Sequence, residues 1–288
     1  MAIKELSILI PTYNDLCVDL VQALQQQVTS LAIDYEILVA DDGSSDASVI
    51  VRNRAINALP HCRLIERQQN CGRAAIRNFL VQEAQYPWLL FIDSDMTVCR
   101  QDFIQRYVNS QQDVVYGGIV IGNVSKDNLR SIYEQSKEGE HTFEKRQQSP
   151  YQDFHTANFL IRREIMLRHP FDERFRNYGY EDVLLGKCLQ QDNILIEHID
   201  NPISFEIYET NAAFVSKTEE GLRTLHQFSD ELRGYSRLLD FVEHHHMLAI
   251  MVSFWHRIAG KWERHQLTSN TPNLRIFSLY RLGYYLQL

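Results

Sequence analysis

The stretch Trp88-Leu89-Leu90-Phe91-Ile92-Asp93-Ser94-Asp95 decides the reading of this chain, because five apolar residues lead the backbone straight into two carboxylates spaced two apart. A short apolar run with Pro87 before it reads as a buried strand. At the carboxyl edge of such a strand an open α/β sheet keeps its ligands, and there Asp93 and Asp95 offer hard oxygen donors to a divalent cation bridging phosphates. Alone, an Asp-any-Asp pair is more often a solvated turn or a helix cap. Its meaning comes from the segments around it.

On the amino-terminal side, residues 6–10 form a strand candidate that stops at Pro11-Thr12-Tyr13-Asn14. Leu16, Leu20, Leu24 and Val28 then recur every fourth residue, which places one apolar stripe on a helix. Residues 35–40 are a second strand, ending in Asp41-Asp42-Gly43-Ser44-Ser45-Asp46. The Ser and Asp side chains there suit the N-cap of a helix carrying Val49, Ile56 and Leu59. A third strand, 63–65, leads to Asn70-Cys71-Gly72 and a helix through Ala75 and Phe79 to Ala84. Strands alternating with helices predict βαβ units and a parallel sheet with right-handed crossovers. In a parallel sheet the turns after the strands share one edge. The segments 11–14, 41–42, 70–73 and 93–95 are therefore expected to converge on one crevice.

Beyond Asp95 the pattern changes. Strand-like segments at 114–116 and 119–124 flank Gly117-Gly118, and 129–148 is long, polar and at best helical. Its end, 138–150, is the best candidate for a mobile loop. A strand pattern returns over 154–162, a helix is marked by Val183, Leu184, Leu185, Cys188 and Leu189, and 194–199 is another strand. That helix holds Glu181 and Asp182 in its first turn, where complementing the helix dipole explains them about as well as chemistry does. Helical patterns dominate from 214 onward. The expectation is an α/β fold with a mostly parallel central sheet flanked by helices. Its catalytic domain is 1–212, with 1–100 the nucleotide-binding half and 101–212 the acceptor-binding half, followed by a C-terminal helical extension, 213–288.

A chain of 288 residues can bury a real core. With a net charge of −8 it lacks the basic balance of a nucleic-acid binder. Five scattered cysteines with no Cys-x-x-Cys pair read as reduced thiols of a cytosolic protein, not as a disulfide framework or zinc site. The start, Met1-Ala2-Ile3-Lys4-Glu5, lacks signal-peptide architecture, and no apolar run approaches the roughly 18 residues a spanning helix needs. The longest, 247–255, reads as a helix packed on the catalytic domain or on another subunit, or as a surface helix near a lipid-linked acceptor. The expected location is cytoplasmic, with the inner face of the membrane as the second choice. Three consecutive histidines, His244-His245-His246, point in different directions on a helix and read as a solvated face.

The motifs, taken in order, resemble the family 2 inverting glycosyltransferases of the GT-A fold, which use nucleotide-activated sugars. The resemblance rests on Ile10-Pro11-Thr12-Tyr13-Asn14, on Val39 to Asp46, on Asn70-Cys71-Gly72 with Ala75-Ile76-Arg77-Asn78, on Phe91 to Asp95 and on Gly179-Tyr180-Glu181-Asp182. It covers roughly residues 6–225, and the segment 171–186 looks like the chondroitin-polymerase and bacterial polysaccharide branch. By that resemblance Pro11, Thr12, Tyr13 and Asn14 border a UDP-sugar donor, and Asp42 accepts from the base N3–H while Asp41 braces its loop. Gly72 lets the backbone come close to the ligand, and Arg73 or Arg77 neutralises phosphate. Asp93 and Ser94 face the ribose and the water shell of the metal, and Asp95 binds Mn2+ or Mg2+ directly. Asp182 is the implied base for the acceptor hydroxyl, with Glu181 orienting a saccharide or lipid-linked acceptor. Asn158, Tyr178 and Tyr180, with His155 beside them, would shape the acceptor and sugar pocket.

One departure stands out. Where relatives often place a histidine metal ligand after the last core strand, this chain has Phe205. Glu206 or His198 could substitute, the diphosphate and water could complete the shell, or metal dependence could be weakened. Two other classes compete: a non-catalytic nucleotide-sugar-binding relative, and a sugar nucleotidyltransferase. The latter needs a glycine-rich basic loop that Pro11-Thr12-Tyr13-Asn14 does not supply.

Overall fold

The computed structural model describes residues 3–288. The first half alternates as expected: β1 (Glu5–Thr12), α1 (Val18–Thr29), β2 (Asp34–Asp41), α2 (Ala47–Asn53), β3 (Cys62–Glu66), α3 (Arg73–Glu83) and β4 (Trp88–Ile92). A two-residue strand β5 (Met96–Thr97) and α4 (Phe103–Val108) follow, then β6 (Val114–Tyr116) and β7 (Ile119–Ile121). Next come α5 (Leu129–Glu138), α6 (Phe143–Arg146), β8 (Asn158–Arg162), α7 (Arg163–Arg168), α8 (Glu181–Gln191), β9 (Ile196–His198) and β10 (Ile203–Phe205). The chain closes with α9 (Asn211–Gln227), α10 (Ser229–Leu232), α11 (Arg237–His244), α12 (His246–Leu267) and α13 (Leu274–Tyr285).

Seven strands form the main sheet in the order β3-β2-β1-β4-β8-β6-β9. The four amino-terminal strands run parallel, whereas β8 is antiparallel to both β4 and β6. A second sheet, β5-β10-β7, stands beside it. Leu90 and Ile92 point into one apolar layer while Leu89 and Phe91 point into the other. Both faces are thus covered, which is why β4 reads as a continuous apolar run and not as an alternation. Phe91 stacks on Phe159 of β8 with centroids 4.8 Å apart, fixing the antiparallel junction.

The segment 138–150 differs from the mobile loop expected. It contains α6, and the buried Arg146 reaches under the sheet edge to the Gly117 and Ile199 carbonyls and to His198 Nδ1. A guanidinium tied to three partners anchors the segment from inside, which a scan of polar residues cannot detect. The C-terminal helices are equally embedded. Phe214 and Val215 of α9, Leu267 of α12 and Phe277 of α13 share a core with Leu129 of α5. Among the described residues no helix is long and apolar enough to cross a membrane.

Candidate active site

The register of β1 against β2 places Pro11 beside Ala40 and Thr12 beside Asp41, so the loops after these strands leave the sheet together. With the 70–73 turn and the end of β4 they enclose a cavity of about 580 Å3. Pro11, Thr12, Tyr13, Asp42, Gly72, Arg73, Arg77, Asp93, Ser94 and Asp95 line it, as the topology required. Asn14 does not. Its backbone takes a left-handed φ of 55°, and its side chain is consumed by the neighbouring loop, accepting from the Ser45 and Asp46 N–H groups. It shapes the crevice by bracing 44–46, which corrects its assignment to the donor.

Asp41 takes the bracing role expected of it, whereas Asp42 is tied to the next turn. Buried Asp41 accepts from Ser44 N–H at 2.7 Å, which is loop bracing. Asp42 faces the cavity and accepts from Gly72 N–H at 2.9 Å, Cys71 N–H at 3.1 Å and Arg67 Nη1 at 3.2 Å. It therefore holds the 70–72 turn against the cavity rim. The need for glycine at 72 has a different cause from the one anticipated. Its φ is 93°, and a Cβ there would lie 2.7 Å from the Arg176 carbonyl, so the close neighbour is the chain's own 176–178 segment.

Arg77 also departs from expectation. It is fully buried, with Nη2 donating to Asp93 at 2.7 Å and Nη1 donating to Glu181 at 3.1 Å. Its charge is spent on two carboxylates, Asp93 just after β4 and Glu181 at the start of α8. Arg73 lies over the Tyr178 ring at 4.8 Å and Lys217 of α9 lies over the same ring at 4.6 Å. Tyr178 thus belongs to this cavity, a correction to its placement with the acceptor. Arg130 of α5 completes the cationic wall, donating to Glu209 at 2.7 Å. Its guanidinium stacks 4.0 Å over the ring of Phe205. The position where relatives often carry a histidine therefore seats a cation. Arg130 and Lys217 escaped the sequence reading because nothing local marks them; only the packing of α5 and α9 over the sheet brings them to β4.

Asp95 lies among these groups with no hydrogen bond or ion pair to the described residues. Burial pushes its carboxyl up, and the neighbouring Asp93 and Asp15 push it further, against Arg130 and Arg73. A partly buried carboxylate crowded by others and left without a protein donor suits a cation-binding position. The residues present therefore fit a divalent ion held by Asp95 with Asp93 beside it. Neither proposed substitute for the third ligand lines the cavity. Both nitrogens of buried His198 are engaged, by Arg146 and by the Pro150 carbonyl, and burial lowers its pKa to about 4. Glu206 accepts from Ser204. Among the described residues no cluster of three His, Cys, Asp or Glu side chains could hold a metal.

On the other side of Arg77 stand the acidic pair. Buried Glu181 pairs with Arg77 and lines neither this cavity nor the second one described below, in contrast to the acceptor-orienting role expected of it. Burial and then Asp182 raise its pKa. Asp182 is partly open, receives Val183 N–H at 2.8 Å and lies 3.2 Å from His155 Nδ1. Burial acts to raise its pKa, but His155, through hydrogen bond and charge, holds it below the usual range. Reciprocally Asp182 overcomes the effect of burial on His155 and raises the imidazole. His155 and Tyr180 open onto a second cavity of about 950 Å3, walled by Tyr116, Tyr133 and helices α11 and α13. Tyr180 is held there by a left-handed φ of 72°, a conformation that costs on the order of 1–3 kcal/mol and is sustained by the start of α8. Asn158 is a further correction. It is wholly buried, donating to the Gly118 and Asn201 carbonyls and accepting from Tyr107 Oη, and it touches neither cavity.

An open sheet whose strands end at a cation-walled crevice, beside an acidic pair leading the helix that follows, is the GT-A architecture of nucleotide-sugar transferases. The chain belongs to glycosyl transferase family 2, whose model matches residues 7–169. It is 31% identical over 131 residues to the poly(ribitol-phosphate) beta-glucosyltransferase of Bacillus spizizenii, a match spanning 44% of this chain and 20% of that protein. In fold it resembles S. aureus TarS 1-349 in complex with UDP-GlcNAc, at a TM-score of 0.51 and 14% identity, covering 98% of this chain and 88% of that one. It also resembles the mannosyltransferase PcManGT from Pyrobaculum calidifontis in complex with GDP-Man and Mn2+ (TM-score 0.54, 13% identity, 98% and 84% covered).

Proposed function

We propose that this chain transfers a sugar, hexose or N-acetylhexosamine, with inversion from a UDP-sugar to a saccharide or lipid-linked acceptor in bacterial surface polysaccharide synthesis. The observation that carries this reading is a pair of cavities, one lined by Asp93 and Asp95 and the other lined by His155, which holds Asp182 at 3.2 Å. The relative from Bacillus spizizenii bears a name in polymer glucosylation, and one fold neighbour holds UDP-GlcNAc, which supports a nucleotide-diphosphate sugar as donor. Residues 1–212 would form the catalytic unit, although Lys217 and Glu220 of α9 also reach the donor cavity.

In this mechanism Pro11, Thr12 and Tyr13 border the base, and a remaining lone pair of Asp42 accepts its N3–H. Such a built-in acceptor discriminates against bases that lack the donor. Asp93 and Ser94 face the ribose. Asp95 and Asp93 would hold Mn2+ or Mg2+, which would stabilise the negative charge gathering on the departing diphosphate. Arg73, Arg130 and Lys217 act on the same charge from the chain itself. Asp182 takes the proton from the acceptor hydroxyl. That oxygen attacks the anomeric carbon from the face opposite the diphosphate, forming the new glycosidic bond. The bond to the diphosphate breaks, and its electron pair leaves with UDP. His155 keeps Asp182 ionised and oriented, and Tyr180 offers an aromatic face to the acceptor.

Calorimetric titration of UDP, with GDP as control, tests the donor site. Binding selective for UDP and strengthened by Mn2+ is expected. In Asp95→Ala the Mn2+-dependent gain should fall by about ten-fold or more, the size of one charge-assisted contact. No nucleotide binding in either condition would favour a non-catalytic relative. Equal affinity of Asp95→Ala and the parent chain with Mn2+ would remove the metal role from Asp95.

A further inference from the structure

We propose that the outer face of α12 is a docking surface for an anionic lipid bilayer. Met247, Met251, Phe254, Trp255, Ile258 and Trp262 recur at helical spacing, and each is between 48% and 75% exposed. The opposite side of the helix carries the buried Ala249, Glu263 and Leu267, and His256 meets Gly283 of α13. One stripe is therefore already packed, and a second, larger in aromatic content, is bare. Exposed Arg257 and Lys261 lie one turn apart along the flank of that bare stripe.

Charge identifies the partner. Between 244 and 288 there are five Arg and Lys residues and a single carboxylate, so this segment carries +4 and residues 1–243 carry −12 of the net −8. The lone carboxylate, Glu263, is 1% exposed and held by Trp255 Nε1 at 2.8 Å and His256 Nδ1 at 2.6 Å, facing inward. The outer face of α12 thus combines apolar bulk with cations and presents no acid. A second copy docking the same stripe across a two-fold axis would meet only like charge. A bilayer accepts Trp, Phe and Ile at the acyl boundary while lipid phosphates meet the flanking cations. The helix lies in the plane of the interface, because it is not apolar enough to span it. Its neighbour α13 lines the second cavity through Ser278 and Arg281, so docking brings that cavity one helix away from the lipid surface.

The inference stands apart from the donor chemistry and is tested without turnover. The full chain is floated with vesicles of phosphatidylcholine alone and of phosphatidylcholine mixed equally with phosphatidylglycerol. Flotation with the mixed vesicles only is expected. Arg257→Gln/Lys261→Gln should weaken partition about thirty-fold, at the usual contribution per basic residue near an anionic surface. Phe254→Ser/Trp262→Ser should weaken it by about a hundred-fold or more. These side chains are exposed, and an unchanged thermal melt would establish that both variants fold. Failure of the parent chain to float with either vesicle overturns the proposal. Equal binding to neutral vesicles overturns its anionic character. Dimerisation in light scattering that Phe254→Ser/Trp262→Ser abolishes, without lipid binding, would assign the face to a second copy.

Discussion

Asp182→Asn should lower turnover by about a thousand-fold, the middle of the range for losing a general base, while UDP binding stays unchanged. The amide keeps the size of the side chain and can still accept from Val183 N–H, but it has no lone pair basic enough to take a hydroxyl proton. Because Asp182 is not among the residues lining the donor cavity, the nucleotide should not sense the change. UDP release from a UDP-sugar in the presence of acceptor measures the first quantity and calorimetry the second. Turnover within about ten-fold of the parent would show that the base is misassigned. The same pair makes a pH prediction. His155 holds the carboxyl of Asp182 below the usual range, so the acid limb of kcat/KM lies low. With that partner removed in His155→Ala, the Asp182 pKa rises and the acid limb moves to higher pH. A limb that stays in place would mean His155 does not tune the base.

Arg77→Met should be the most destabilising single change in the site, by about 3–5 kcal/mol, because it leaves Glu181 charged, buried and without its cation. For a domain of this size that corresponds to a fall in Tm of roughly 10 °C. The pH dependence follows from the raised pKa of Glu181. A carboxyl raised on folding adds stability below its unfolded pKa and loses it as pH rises through the folded value. The deficit of Arg77→Met should therefore be smallest in acid and widen toward neutrality. In Arg77→Met/Glu181→Gln much of the loss should return, since the uncompensated charge is gone. Thermal unfolding across pH measures both. A loss below about 1 kcal/mol would indicate that water reaches the pair.

The βαβ alternation of the first half was legible because each element there has its own local signal: an apolar run, a fourth-residue stripe, a cap. Topology then carries the turn residues after β1, β2, β3 and β4 to one edge whatever the details of packing, and Thr12, Asp42, Gly72 and Asp95 do line one cavity. Glu181 and Asp182 open α8 as the pattern of Val183, Leu184 and Leu185 implied. Long-range partnership has no such signal. That Arg77 is spent on Asp93 and Glu181, that Asn158 and Arg146 are internal braces, and that Arg130 rests on Phe205 are outcomes of side chains more than a dozen residues apart meeting across layers.

The sequence by itself determined the class of the fold, the edge on which the strand-end turns converge and the carboxylates that meet there, since local periodicity and strand polarity suffice for these. Only the tertiary structure decided which charges face a ligand and which neutralise one another. The worth of a buried charge depends on the few ångströms to its partner, and that distance is set by packing between elements.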